Sequence, residues 1–198
     1  TATAIVLVSP SVIANDDAGT GSAGASGVAI GSLVANDVVN GLPATLGATG
    51  NAVVSAVGTY PAGITLDANT GSVSVAIGTV PGTYTLVYQL CDKLSPVTCT
   101  TANAVVTVAP SVIAMDDAGL ASAGTGGTAI PNVTGNDIVN GVSVLLGVNA
   151  EVSTVGTYPA GITLNTTTGS ISVATGTVPG TYTLVYQLCD KLAAPTCT

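Results

Sequence analysis

The feature that most constrains this chain is that it is written twice. Pro10-Ser-Val-Ile-Ala returns as Pro110-Ser-Val-Ile-Ala, and Asn36-Asp37 returns as Asn136-Asp137, both 100 positions on. From Val57-Gly-Thr-Tyr-Pro-Ala-Gly-Ile-Thr-Leu the copy begins at Val155, 98 positions on, so the loop before it is two residues shorter. Loops tolerate such deletions. A period of about a hundred residues exceeds a solenoid unit and matches a self-contained domain with its own core. Two tandem domains are therefore expected.

Within each copy, short runs rich in Val, Ile and Thr are broken by Gly, Pro, Asn and Asp, and no segment sustains a helical period. In the first copy the spacing predicts strands over Ala14–Gly19, Val28–Ala35, Ala52–Val57, Ile64–Leu66, Ser72–Val75, Thr83–Cys91 and Thr101–Val108. About seven antiparallel strands per copy define an all-β fold of two tandem immunoglobulin-like β-sandwich domains. In Tyr84-Thr-Leu-Val-Tyr-Gln-Leu, alternation turns Tyr84, Leu86, Tyr88 and Leu90 toward one face, the expected core. With no Phe and no Trp, six tyrosines carry all the aromatic packing.

Only 6% of residues are charged and the net charge is −8, which repels nucleic acid and anionic lipid. Apolar runs are too short to span a bilayer, so no membrane insertion is expected. There is no histidine, and Asp16-Asp17, adjacent on a strand, point to opposite faces. With neither a neutral-pH proton shuttle nor a paired acid, the chain is not expected to be an enzyme.

Four cysteines fall in two close pairs, Cys91/Cys99 and Cys189/Cys197, and read as two local disulfides formed in an oxidising, extracellular compartment. Zinc would need ligands gathered from two distant loops, and the spacing is not that of a redox Cys-x-x-Cys. Asn132-Val-Thr and Asn165-Thr-Thr match the N-glycosylation pattern but read as strand and turn residues. An isopeptide bond from the lysines beside the cysteines is disfavoured by their loop position.

Pro61-Ala-Gly-Ile-Thr-Leu-Asp-Ala-Asn-Thr-Gly-Ser-Val-Ser-Val, followed by Pro81-Gly-Thr-Tyr-Thr-Leu, resembles the putative-Ig and cadherin-like repeats of bacterial surface proteins. Ala14-Asn-Asp-Asp, with Leu33-Val-Ala-Asn-Asp beyond it, is similar to the Ig-like repeats of giant adhesins. The resemblance implies a cell-surface setting. It also directs attention to the acids, of which eight recur in register: Asp16, Asp17, Asp37 and Asp92, and Asp116, Asp117, Asp137 and Asp190. An antiparallel sandwich places all four of each copy at one pole, where carboxylate and backbone oxygens suit calcium between domains. The competing expectation is that these are ordinary turn formers, partly neutralised by Lys93 and Lys191.

The frame carries one more expectation. Thr1-Ala-Thr-Ala-Ile-Val-Leu-Val aligns with Thr101-Ala-Asn-Ala-Val-Val-Thr-Val, the last strand of the first domain, whereas the second copy stops at Cys197-Thr198. The expected division is residues 1–8, a strand completing a neighbouring domain; residues 9–108, the first Ig-like domain; and residues 109–198, a second lacking its last strand. With neither initiator Met nor signal peptide, the chain reads as a processed or excised piece. The expected function is a structural or adhesive repeat of a bacterial extracellular fibre or surface stalk. Its expected partners are neighbouring copies or adjacent repeats, joined head to tail through Thr1–Val8. The alternative is a carbohydrate-binding or spacer module of a secreted enzyme, which calls for exposed aromatic platforms.

Overall fold

A computed structural model describes all 198 residues, Thr1–Thr198, as two β-rich units, Thr1–Ala109 and Pro110–Thr198. The first unit carries β1 (Val12–Ile13), β2 (Asp17–Ser22), β3 (Gly27–Ile30), β4 (Val38–Val39), β5 (Leu42–Pro43), β6 (Ala52–Val57), β7 (Ile64–Asp67), β8 (Ser72–Val75), β9 (Gly82–Asp92) and β10 (Cys99–Ala109). Four of these form a sheet in the order β2-β10-β9-β6; the others form a β3-β8-β7 sheet and a small β1-β4-β5 sheet. The sheets enclose one continuous core of eighteen buried residues.

Alternation along β9 behaves as the sequence indicates, with Leu86, Tyr88 and Leu90 buried and Tyr84 packed against them. Opposite them β10 contributes Ala102, Ala104, Val106 and Val108, all buried. Two expectations are corrected. The predicted strand Val28–Ala35 ends at Ile30, because Leu33 and Val34 are buried in the following turns, where Leu33 N–H donates to Gly71. The sandwich is also not wholly antiparallel, since β2 runs parallel to β10 with Ala104 opposite Asp17 and Val108 opposite Gly21. Ala14–Gly19 accordingly divides into β1 and β2, which belong to different sheets.

Asn40-Gly41 makes the two-residue β4–β5 hairpin. Their φ values of 53° and 80° are the left-handed pair such a turn demands, and Asn140-Gly141 repeats them at 52° and 78°. Gly19 allows β2 to cross close over β3, since a Cβ there would collide with the Ala29 carbonyl oxygen. Gly119 meets Ala129 in the same way.

The second unit carries β11 (Val112–Ile113), β12 (Gly127–Ile130), β13 (Ile138–Val139), β14 (Val142–Ser143), β15 (Ala150–Val155), β16 (Ile162–Leu164), β17 (Ile171–Val173) and β18 (Val185–Asp190). They form sheets β11-β13-β14, β12-β17-β16 and the two-stranded β15-β18. No counterpart of β2 or β10 is present, and its buried residues fall into two clusters of four and three. Thr1–Val8 forms no strand and lies exposed. No helix is long and apolar enough to cross a membrane.

Candidate functional site

The β4–β5 hairpin and the β1–β2 connection build the acid pole. Asp37, immediately before β4, is tied by its N–H to Val34 and by its carbonyl to Ala44 N–H, and its side chain is buried. Asn15 N–H donates to Asp37 Oδ1 at 2.7 Å, while the Asn15 and Asn36 amides reach across to the Asn36 and Asp16 carbonyls. Into this crossing β9 projects the Tyr88 hydroxyl. It lies 2.8 Å from the Asn15 carbonyl, 3.2 Å from the Leu33 carbonyl, and 3.3 and 3.1 Å from the two carboxylate oxygens of Asp37. One proton is thus offered to several acceptors.

That crowding governs the electrostatics. Burial, reinforced by the charges of Asp37 and Asp16, raises Asp17 to about 6, with the Tyr88 hydroxyl pulling the other way. Burial likewise raises Asp37 above the usual carboxylate range. Tyr88 is driven well above the ordinary phenol range by burial first and by the two carboxylates second.

The second unit repeats the arrangement around Tyr186. Its hydroxyl lies 3.1 Å from the Met115 carbonyl, 2.9 Å from the Val133 carbonyl, 3.1 Å from Asp137 Oδ2 and 3.4 Å from Asp117 Oδ2. Met115 keeps the main-chain bond to Asp137 but offers no side-chain amide in place of Asn15. Burial raises Asp117, with Asp137 adding to it.

The eight recurrent acids therefore do three separate jobs. Asp17 with Asp37, and Asp117 with Asp137, flank a tyrosine hydroxyl. Asp16 Oδ1 accepts Asn103 N–H of β10 at 2.8 Å; Asp116 is its counterpart in the repeat, but the second unit has no strand equivalent to β10 to supply that N–H. Asp92 and Asp190 stand apart, four residues beyond Tyr88 and Tyr186 on their strands, or about 13 Å of strand rise. Asp92 Oδ1 accepts Leu94 and Thr98 N–H, and Asp190 Oδ1 accepts Leu192 and Thr196 N–H, so each ties down a disulfide loop. The lysines turn elsewhere: Lys93 donates to the Gly47 carbonyl, and Lys191 donates to the Gly147 carbonyl and pairs with Glu151.

No group of three or more His, Cys, Asp or Glu side chains is placed to hold a metal ion. The donors that do meet at Tyr88 are nevertheless all oxygen, two carboxylates and two main-chain carbonyls, and Asp17 Oδ2 is buried without a hydrogen-bond partner, as are Asp92 Oδ2 and Asp190 Oδ2 in the disulfide loops. An all-oxygen donor set is the kind a hard cation takes, and Asp92 and Asp190, four residues further along their strands, are too distant to join it.

Both cysteine pairs are joined as disulfides. Cys91 and Cys99 are direct cross-strand partners on β9 and β10, and Cys189 and Cys197 form the equivalent bridge. Asn132 and Asn165 use their side-chain oxygens to close turns onto Thr134 and Thr167 N–H, the role expected of turn residues. What sequence pattern did not disclose was the tyrosine hydroxyl. Alternation places the rings of Tyr88 and Tyr186 inside, and a buried phenol needs a polar partner, but the partner lies some fifty residues away in the chain.

No family model matches the chain, and no curated protein matches it. Among solved structures it is similar to extracellular cadherin domains 3–6 of protocadherin gamma B2, with a TM-score of 0.39 and 14% identity over 96% of this chain and 50% of that one. Drosophila N-cadherin EC1-4 gives a TM-score of 0.38 and 13% identity over 96% and 47%, and mouse cadherin-23 EC22-24 gives 0.34 and 14% over 93% and 59%. The chain thus spans less than two thirds of the length of each of these structures. At such values the likeness assigns no ligand to this chain.

Proposed function

We propose that this chain is a structural and adhesive tandem repeat of a bacterial extracellular fibre or surface stalk, assembled end to end with like repeats and without enzymatic activity. The observation that carries this is the repetition of one compact, disulfide-closed β unit twice in series, with the same acid pole rebuilt in each. Short β units of this kind present strand ladders and cross-links to a pulling force, and the disulfides belong to an oxidising compartment. Thr1–Val8, unpaired and apolar, is the segment we assign to the head-to-tail joint. Residues 9–108 and 109–198 are the two repeats it connects.

The carbohydrate-module alternative calls for open aromatic faces, and the most exposed of the six tyrosines, Tyr182, is only 37% exposed. Tyr60 and Tyr158 are packed against the cores and spend their hydroxyls on the Val87 and Val185 carbonyls. Tyr84 and Tyr182 donate to Val80 and Val178.

Labelling of intact source cells, paired with a free-thiol assay on the native protein, tests the proposal. Surface labelling with no reactive thiol is expected; an intracellular protein with four free thiols overturns it. Calcium belongs to the same proposal, held at Asp17 and Asp37, with Asp16 adjacent, and at Asp117 and Asp137, with Asp116 adjacent. Melting in calcium and in chelator is expected to differ, and coincident curves remove the metal from the account.

A further inference from the structure

The two units contain nearly the same residues and yet complete their sheets differently. In the first, β10 fills a lane between β9, to which it is antiparallel, and β2, to which it is parallel. In the second, that lane is open. Thr198 exchanges two hydrogen bonds with Leu188, at 2.9 and 3.1 Å, and from Gln187 back to Gly180 this edge has no strand beside it. Residues 117–122, the counterpart of β2, form no strand, and β18 begins only at Val185 where β9 already begins at Gly82. The exposures follow. Tyr88 and Leu86 are 0% and 2% exposed, whereas Tyr186 and Leu184 are half-buried, Val185 is 55% exposed and Leu120 is 93% exposed.

A segment that fits the lane lies in the same chain. Thr1–Val8 pairs with nothing, and Ile5, Val6, Leu7 and Val8 are 82–95% exposed. Placed on β10 at an offset of 100, its inward residues Ala2, Ala4, Val6 and Val8 are identical to Ala102, Ala104, Val106 and Val108, the four that β10 buries in the first core.

We propose that the open lane of the second unit is a strand-acceptor site and that its occupant is Thr1–Val8 of a second copy of this chain. This rests on the end-to-end assembly above and adds the site, the partner and the register to it. Carrying the β10 pairings across sets Ala2 opposite Tyr186, Ala4 opposite Leu184 and Val6 opposite Tyr182 on the antiparallel side. On the parallel side Ala4 lies beside Asp117, Val6 beside Gly119 and Val8 beside Ala121. Asp116 then receives Thr3 N–H as Asp16 receives Asn103 N–H. The outward face differs from the first unit at one telling place. Where Thr107 lies beside Thr20, the joint sets Leu7 beside Leu120, an apolar pair that covers the most exposed large side chain of the second unit. Unpaired backbone and exposed apolar side chains are removed together, so residues 117–122 and 180–184 become strands as the segment enters. Donor and acceptor surfaces differ, so the contact repeats without closing and yields an open filament.

Three measurements on the full chain decide it. Sedimentation over a concentration series is expected to give linear oligomers that Val6→Arg weakens by about a hundredfold or more, since it drives a charge into the lane; Val6 is exposed in the single chain, so the variant still folds. Hydrogen exchange is expected to slow at residues 117–122 and 180–187 when a synthetic Thr1–Val8 peptide is added. A Leu7→Cys/Leu120→Cys chain is expected to cross-link between copies under mild oxidation, while Leu7→Cys/Ala118→Cys does not. Oligomers indifferent to Val6→Arg, or formed without protection of residues 117–122, overturn the acceptor lane but leave end-to-end assembly standing. A cross-link confined within one molecule, or a native protein in which residues following Thr198 fill the lane, overturns the second copy as occupant. A monomer at every concentration with no peptide-induced protection overturns both the lane and the joint, and leaves the surface location to the labelling experiment.

Discussion

Val106→Ala separates a filled lane from an empty segment of the same sequence. Val106 is fully buried, opposite Tyr84 on β9 and Gly19 on β2, within the single core of the first unit. The substitution removes two methyl-sized groups, worth about 0.8 kcal/mol each by transfer. The cavity they leave adds to this, because β10 is held by ladders on both edges and cannot collapse inward. The expected loss is about 2 to 3 kcal/mol. For a unit of this size that moves the urea midpoint of the first unit down by about 1.5 to 2 M. Val6→Ala deletes the same groups at the matching repeat position, but Val6 is 82% exposed, so the dilute protein is expected to change by less than about 0.5 kcal/mol. Far-UV circular dichroism and tyrosine fluorescence in urea, at concentrations too low for association, measure both. If Val106→Ala costs under about 0.5 kcal/mol, or Val6→Ala costs as much as Val106→Ala, then β10 does not hold the lane as described and Thr1–Val8 competes for it.

Removing the disulfide with Cys91→Ala/Cys99→Ala reopens a loop of eight-residue separation, which chain entropy puts at about 2.5 kcal/mol; an unchanged melting temperature would show that the β9–β10 ladder alone holds the loop. The acid pole predicts a pH dependence in chelator. Asp17 titrates at about 6 in the folded unit against 3.8 for the free side chain, so the folded state binds its proton more tightly. The stability this contributes is full below 3.8 and is lost as pH rises through about 6. Because Asp17 is partly exposed, the loss is expected to be about 1 kcal/mol, and Asp17→Asn is expected to reduce it in melts between pH 4 and about 7.5, leaving the part that the buried Asp37 carboxyl contributes. A first unit that gains stability over that window would contradict the raised carboxyl. Tyr88→Phe strips the hydrogen-bond donor from Asp37 and the Asn15 and Leu33 carbonyls and is expected to cost about 1 to 3 kcal/mol, more than Tyr186→Phe at its half-exposed site. Equal costs in two-transition melts would count against burial as the cause.

Much of the molecule is written locally and was legible as such. The duplication gives two units because like segments form like local structures. Val, Ile and Thr runs cut by Gly and Pro give short strands, and Ala52–Val57 and Ser72–Val75 appear with the bounds their pattern marks. Alternation in Tyr84–Leu90 identifies the buried face, and cysteines eight apart meet because a short loop returns the chain to the opposite position on the ladder. Asn40-Gly41 specifies its hairpin by its own left-handed preference, a signal carried by the two residues themselves. The acid pole was legible only in part. Repetition marked Asp16, Asp17, Asp37 and Asp92 as a set, but spacing along the chain does not say which carboxylates meet, and it was folding that gathered Asp17 and Asp37 around Tyr88 and sent Asp92 to the disulfide loop. The parallel course of β2 beside β10 was likewise decided in three dimensions. Thr101–Val108 and Thr1–Val8 make the division plain. Their inward residues are the same, so their intrinsic preferences are nearly the same, yet one is a buried central strand and the other is exposed and unpaired. A helix satisfies its backbone within its own segment, but a strand satisfies its backbone only across a neighbour. Sequence therefore supplies a segment able to be a strand, and only the presence of β9 and β2 on either side makes it one.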